Sequence, residues 1–79
     1  MNIINGIRSY INDDDLKITI SRNMINIINY EDIGHFNSEK VVVKTNYKNI
    51  IIKGSNLVVS KLMNDEILIT GTLDELEFR

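Results

Sequence analysis

The chain lacks cysteine, proline and tryptophan, and it has a single histidine. Without cysteine, neither a disulfide framework nor a cysteine-based zinc site can brace it. His35 alone cannot hold a structural zinc ion. The absence of proline leaves strands uninterrupted, and it removes one of the devices that guard sheet edges. No apolar run approaches the ~20 residues of a membrane-spanning helix. The opening residues MNIINGIRSY lack a basic leader followed by a continuous apolar region, so no signal peptide is expected and a cytoplasmic setting is the default. Neither charge dominates. Eleven acidic and nine basic residues are interspersed, for a net charge of -2, which gives no basic stripe for phosphates and no strong steering field.

What is present points to one small domain of 79 residues. A chain of this size buries only ~60% of its extended surface, so close packing or oligomerisation must supply the missing stability. Asn, Ile and Lys make up 32 of the 79 residues, a usage that fits an AT-rich bacterial genome.

Two periodicities divide the chain. In residues 1–15, Ile3, Ile4, Ile7 and Ile11 follow helical spacing, which predicts a short amphipathic helix over residues 2–11. Asp13-Asp14-Asp15 then reads as a solvated acidic linker. Calcium loops alternate their ligands and include a turn glycine, and this run does neither. From Leu16 to Arg79 the period becomes two. Ile18 and Ile20, then Ile25 and Ile27, alternate with polar residues across a turn at Arg22-Asn23. Further strands are expected at 33–36, 41–45, 50–53, 57–62, 67–70 and 73–78. Their turns fall at 37–39, 46–48, Gly54-Ser55-Asn56, Asn64-Asp65 and Gly71. Short strands at this spacing indicate an all-β antiparallel meander, closed as a small sandwich or barrel. At the 54–56 turn, Gly54 is expected to supply a positive φ and Asn56 to tolerate one.

The stretch KVVVKTNYKNIIIKG contains two β-branched triplets, each apolar on both faces of a strand. Val41 and Val43, Ile50 and Ile52, and Ile67 and Ile69 read as the core face. On the opposite face each strand keeps one apolar residue among polar ones. Val42, Ile51, Val58 and Leu68 therefore form a candidate interaction stripe if the strands are neighbours. Covered by another copy of the chain or by a different protein, each of the four contributes at most ~1.5–3 kcal/mol before ordering costs.

The residues offer little to catalysis or to cofactor binding. His35 lies in a Gly-His-Phe segment with no partner fixed by spacing, and a triad is recognised by geometry. Lys53-Gly54-Ser55 lacks the upstream glycine and the following helix of a phosphate loop. The acidic pairs Asp65-Glu66 and Asp74-Glu75 read as solvated charge. No catalytic residue, cofactor or metal ligand is expected. An Sm-like or OB-like module that binds single-stranded RNA is the alternative on length and strand order. Such modules combine a positive groove with stacking aromatics, whereas here the five aromatic residues are scattered and lysines are matched by acids, so no nucleic-acid partner is expected.

The first half of the chain carries Leu16-Lys17-Ile18-Thr19-Ile20, Ile25 to Tyr30, and Ile33-Gly34-His35-Phe36. The second half carries Ile50-Ile51-Ile52-Lys53-Gly54-Ser55-Asn56-Leu57-Val58-Val59, then Asp65-Glu66-Ile67-Leu68-Ile69-Thr70-Gly71, then Leu76-Glu77-Phe78. In this order the segments resemble the YabP/YqfC family of sporulation proteins, the second half more closely. The Ile-Asn-Tyr and Asp65 to Gly71 segments lie nearer the YqfC branch. The resemblance implies a non-enzymatic role in endospore formation in a Firmicute, and the abundance of Asn, Ile and Lys suggests a clostridial one. It implies a small protein of the mother-cell cytoplasm, peripheral to a membrane. It would act as an assembly or adaptor module, self-associating or binding a membrane-bound sporulation protein. No matched position is catalytic.

Overall fold

The computed structural model describes residues 8–12 and 16–79. Among them are seven strands and no helix: β1 (Arg8–Asn12), β2 (Lys17–Ile20), β3 (Met24–Ile28), β4 (Asp32–Phe36), β5 (Lys40–Lys44), β6 (Ile50–Leu62) and β7 (Glu66–Phe78). The helix expected over 2–11 and the acidic linker fall largely on residues 1–7 and 13–15, outside the described residues. The described part, Arg8–Asn12, is an edge strand antiparallel to β2.

The strands form one antiparallel sheet in the order β1-β2-β3-β7-β6-β5-β4. Two meanders compose it, β1 to β3 and β4 to β7, joined by the pairing of β3 with β7. Side chains of the turns satisfy the backbone locally. The Asn37 side-chain oxygen accepts from the amides of Glu39 and Lys40, both at 2.8 Å. The Thr45 hydroxyl donates to the Lys48 carbonyl at 2.6 Å and accepts from the amides of Tyr47 and Lys48 at 3.1 Å. That closed set of bonds lets Thr45 be buried on the core face with Val41 and Val43.

The strands expected at 50–53 and 57–62 are in fact one long strand, β6, and those at 67–70 and 73–78 are likewise one, β7. The residues read as the 54–56 turn and the Gly71 break are a corner inside this paired hairpin. The ladder shifts register between Lys53 and Gly54 and between Ser55 and Val58, and such bulges bend a strand without ending it. Asn56 has φ 55 and Gly71 φ 133, both in the left-handed region. Gly54 is not among the positive-φ residues, so its expected role is corrected. A β-carbon there would lie 1.9 Å from the Thr72 carbonyl oxygen, so close backbone approach is what requires glycine.

The bend folds the sheet over itself into two layers. β1, β2, β3, residues 66–70 of β7 and residues 58–62 of β6 form the first. β4, β5, residues 50–53 of β6 and residues 75–78 of β7 form the second. Hairpin turns carry the ladders round the corner. Gly71 N–H donates to Asn23 and Leu73 N–H to Arg22, while Gly54 N–H donates to Glu39 and Leu57 N–H to Ser38. Ile18, Ile20, Ile25, Ile27, Ile67 and Ile69 from the first layer meet Val41, Val43, Ile50, Ile52 and Leu76 from the second in a single core. The side chains assigned to the core face from alternation are buried here, and so is Ile51, which alternation placed on the outer face. Among the described residues no buried side-chain nitrogen or oxygen lacks a hydrogen-bond partner.

Candidate interaction surface

The fold divides the expected stripe of Val42, Ile51, Val58 and Leu68. Val42 and Ile51 are cross-strand neighbours in the second layer, in a row that continues to Glu77. Leu68 lies in the first layer between Asn26 and Lys61, and Val58 lies opposite Thr70. The corner in β6 and β7 turns these two pairs toward different sides of the molecule.

Ile51 is only 8% exposed although it is not part of the main core cluster. Val42 and Glu77 flank it across the ladder. Lys53, two residues along on the same face, reaches Glu75 at 3.6 Å and Glu77 at 3.1 Å, and Arg79 holds Glu77 from the far side at 2.9 Å. Long charged side chains lay their methylenes on apolar surface while their heads stay in water. The hydrogen bond from Lys53, followed by that from Arg79, holds the Glu77 carboxyl below its ordinary value, and the same contact with Glu77 raises Lys53. Val42 and Leu68 are half-buried, and Val58 is the most exposed of the four.

A different apolar surface emerges where β4 runs near the second part of β6. Beyond its pairing with β5, β4 has no strand neighbour among the described residues. Residues 58–62 of β6 pair only with β7, because β5 reaches no further than Lys53. Two unpaired edges thus flank one side of the folded sheet. Phe36 (64% exposed), Val58 (56%), Leu62 (58%) and Met63 (48%) lie along them, and among the described residues only Tyr47 of the exposed large hydrophobics lies elsewhere. Partly buried Ile33 and Val59 connect this seam to the core. At one end a groove is lined by Phe36, Asn37, Ser38, Leu57 and Val58. At the other, Tyr30, Glu31, Asp32, Ile33, Leu62 and Met63 line a second groove. Tyr30 fixes that end by donating its hydroxyl proton to the Met63 carbonyl at 2.6 Å.

Alternation did not reveal this surface because β4 is bulged, with a register shift between Ile33 and His35. The bulge breaks the period of two within five residues. The usable signal was Leu62-Met63 continuing an apolar run into the Asn64-Asp65 turn, where polar residues are the rule. His35 sits on the same strand with Nε2 3.3 Å from the Asn37 amide nitrogen. Among the described residues no three His, Asp or Glu side chains gather as metal ligands, and no helix is long and apolar enough to cross a membrane.

The fold and surface define a small all-β domain, an antiparallel sheet folded over one core with an apolar seam between two free edges. The chain belongs to the YabP family, whose family model matches residues 12–79. That membership fits a sporulation-related role. No curated protein and no solved structure matches the chain.

Proposed function

We propose that the chain is a non-enzymatic assembly or adaptor module in endospore formation, of the YqfC branch, acting in the mother cell by self-association or by binding a membrane-bound sporulation protein. The observation that supports this is the seam. A strand edge with free N–H and C=O groups recruits another strand by main-chain hydrogen bonds, and side-chain contacts along it add selectivity. Natural sheets protect such edges with charge, proline or covering elements. The last part of β7, which β3 does not cover, has that protection in Asp74, Glu75 and Glu77, whereas the seam carries exposed apolar side chains in its place. The Sm-like or OB-like alternative gains less support, because Tyr30 and Phe78 pack against the core and, among the described side chains, leave only Phe36 and Tyr47 exposed for stacking.

The test is complementation of a sporulating strain that lacks this protein. A Leu62→Asp variant, made at normal levels, is expected to fail in spore formation, while Thr19→Ser on the polar outer face supports it. Normal sporulation with Leu62→Asp would remove the seam as the working surface. Light scattering across a wide concentration range then separates self-association from binding to another protein.

A further inference from the structure

We propose that the seam is filled by one extended strand of a partner protein, apolar at alternate positions and basic at the end that lies beside Tyr30. This rests on the adaptor reading and adds the chemistry of the occupant.

Spacing is the first argument. No Cα of β4 lies within 8 Å of a Cα of β6. Paired strands are 4.7–4.9 Å apart, so these two edges do not pair with each other, and residues of both line the grooves between them. Side-chain pattern is the second. Ile33, Phe36, Val58, Val59, Leu62 and Met63 offer apolar contact along the whole seam, and every second side chain of an added strand points toward them.

Charge complementarity is the third argument, and it sets the direction. Glu31, Asp32 and Asp65 are exposed around the Tyr30 end. None of the three takes part in an ion pair, since the ion pairs among the described residues join Lys53, Lys61 and Arg79 to Glu66, Glu75 and Glu77. The groove at the Phe36 end has Asn37 and Ser38 as its polar lining and no charged side chain in it, and the Glu39 and Lys40 that follow in the turn are of opposite sign. An occupant with Lys or Arg at the Tyr30 end therefore gains where an acidic one is repelled. A second copy presenting its β7 edge brings Asp74, Glu75 and Glu77 toward these same acids, which disfavours that arrangement.

The experiment uses the full chain and two labelled synthetic peptides with the same alternating Ile-Thr core, one ending in Lys-Lys and the other in Glu-Glu. Anisotropy at low salt is expected to show the Lys-ended peptide binding about tenfold more tightly, since each exposed ion pair contributes roughly two- to fivefold. The preference is expected to shrink at high salt and to reverse in Glu31→Lys/Asp65→Lys. Bound peptide should protect amides of β4 and of residues 58–62 from exchange. Equal binding of the two peptides, no binding of either, or no change with the charge reversal would overturn the proposal. So would a dimer of the free chain that Leu62→Asp dissolves, because the seam would then hold a second copy. If Leu62→Asp abolishes sporulation while neither peptide binds, the adaptor reading stands and the strand chemistry falls. If Leu62→Asp sporulates normally, both fall.

Discussion

Substituting Gly54 by alanine tests the corner on which the seam depends. The added β-carbon would lie 1.9 Å from the Thr72 carbonyl oxygen and 3.0 Å from its carbonyl carbon. Both atoms belong to backbone that is paired with β6, so no flexible side chain can yield. Restoring a separation of at least 3.0 Å moves the strands apart by about 1.1 Å. A ladder bond of ~2.9 Å stretched by that amount is no longer a hydrogen bond. One or two bonds at the corner are lost, each at ~1–3 kcal/mol where the freed groups stay buried, so the expected loss is roughly 1–6 kcal/mol. Against a total stability of about 4–12 kcal/mol for a chain of this length, that is severe. Gly34 is the control. A β-carbon there first meets the flexible Cε of Lys44 at 3.2 Å, so Gly34→Ala should stay within about 0.5 kcal/mol of the parent. Urea unfolding followed by circular dichroism compares the two midpoints. If Gly54→Ala unfolds within about 0.5 kcal/mol of the parent, β6 and β7 do not approach as closely as described, and the bend has another cause.

Four further outcomes are expected. Ile52→Lys places a charge at a fully buried position and should abolish cooperative unfolding, because a buried charge without a partner is prohibitive. Ile51→Lys, on the outer face beside Lys53, should keep a cooperative transition, and loss of that transition would show Ile51 to be a core residue. Asn56, at φ 55, should tolerate Gly with little change, while Asn56→Val should destabilise by about 1–2 kcal/mol in the same urea assay. Glu77 gives a pH signature. Its carboxyl is held low in the folded protein, so its contribution is present above the ordinary value of 4.5 and is lost as pH falls through the lower folded value. Lys53 behaves in the opposite sense, contributing below 10.5 and losing its contribution as pH rises through a value above that. Glu77→Gln should flatten the acid side of a plot of urea midpoint against pH. An unchanged acid limb would mean that the Lys53-Glu77-Arg79 contacts do not form in solution.

The sequence by itself determined which segments from Leu16 onward are extended, most of the turns, and the inward side of most strands. Those properties follow from alternation, because successive side chains of a strand must take opposite faces. Ile25 and Ile27, Val41 and Val43, Ile50 and Ile52, and Ile67 and Ile69 could be assigned inward before any pairing was known, and all are buried. Which strands become neighbours depends on long-range pairing, which alternation does not encode. Only the tertiary structure decided that β3 pairs with β7, that Gly54, Asn56 and Gly71 bend two continuous strands where separate short ones were expected, and that Val42 and Ile51 therefore part from Val58 and Leu68. The seam is of the same kind. Ile33 and Phe36 come from a bulged strand, and Leu62 and Met63 come from a strand end about 30 residues later. They form one surface only because the folded sheet leaves both edges unpaired on the same side.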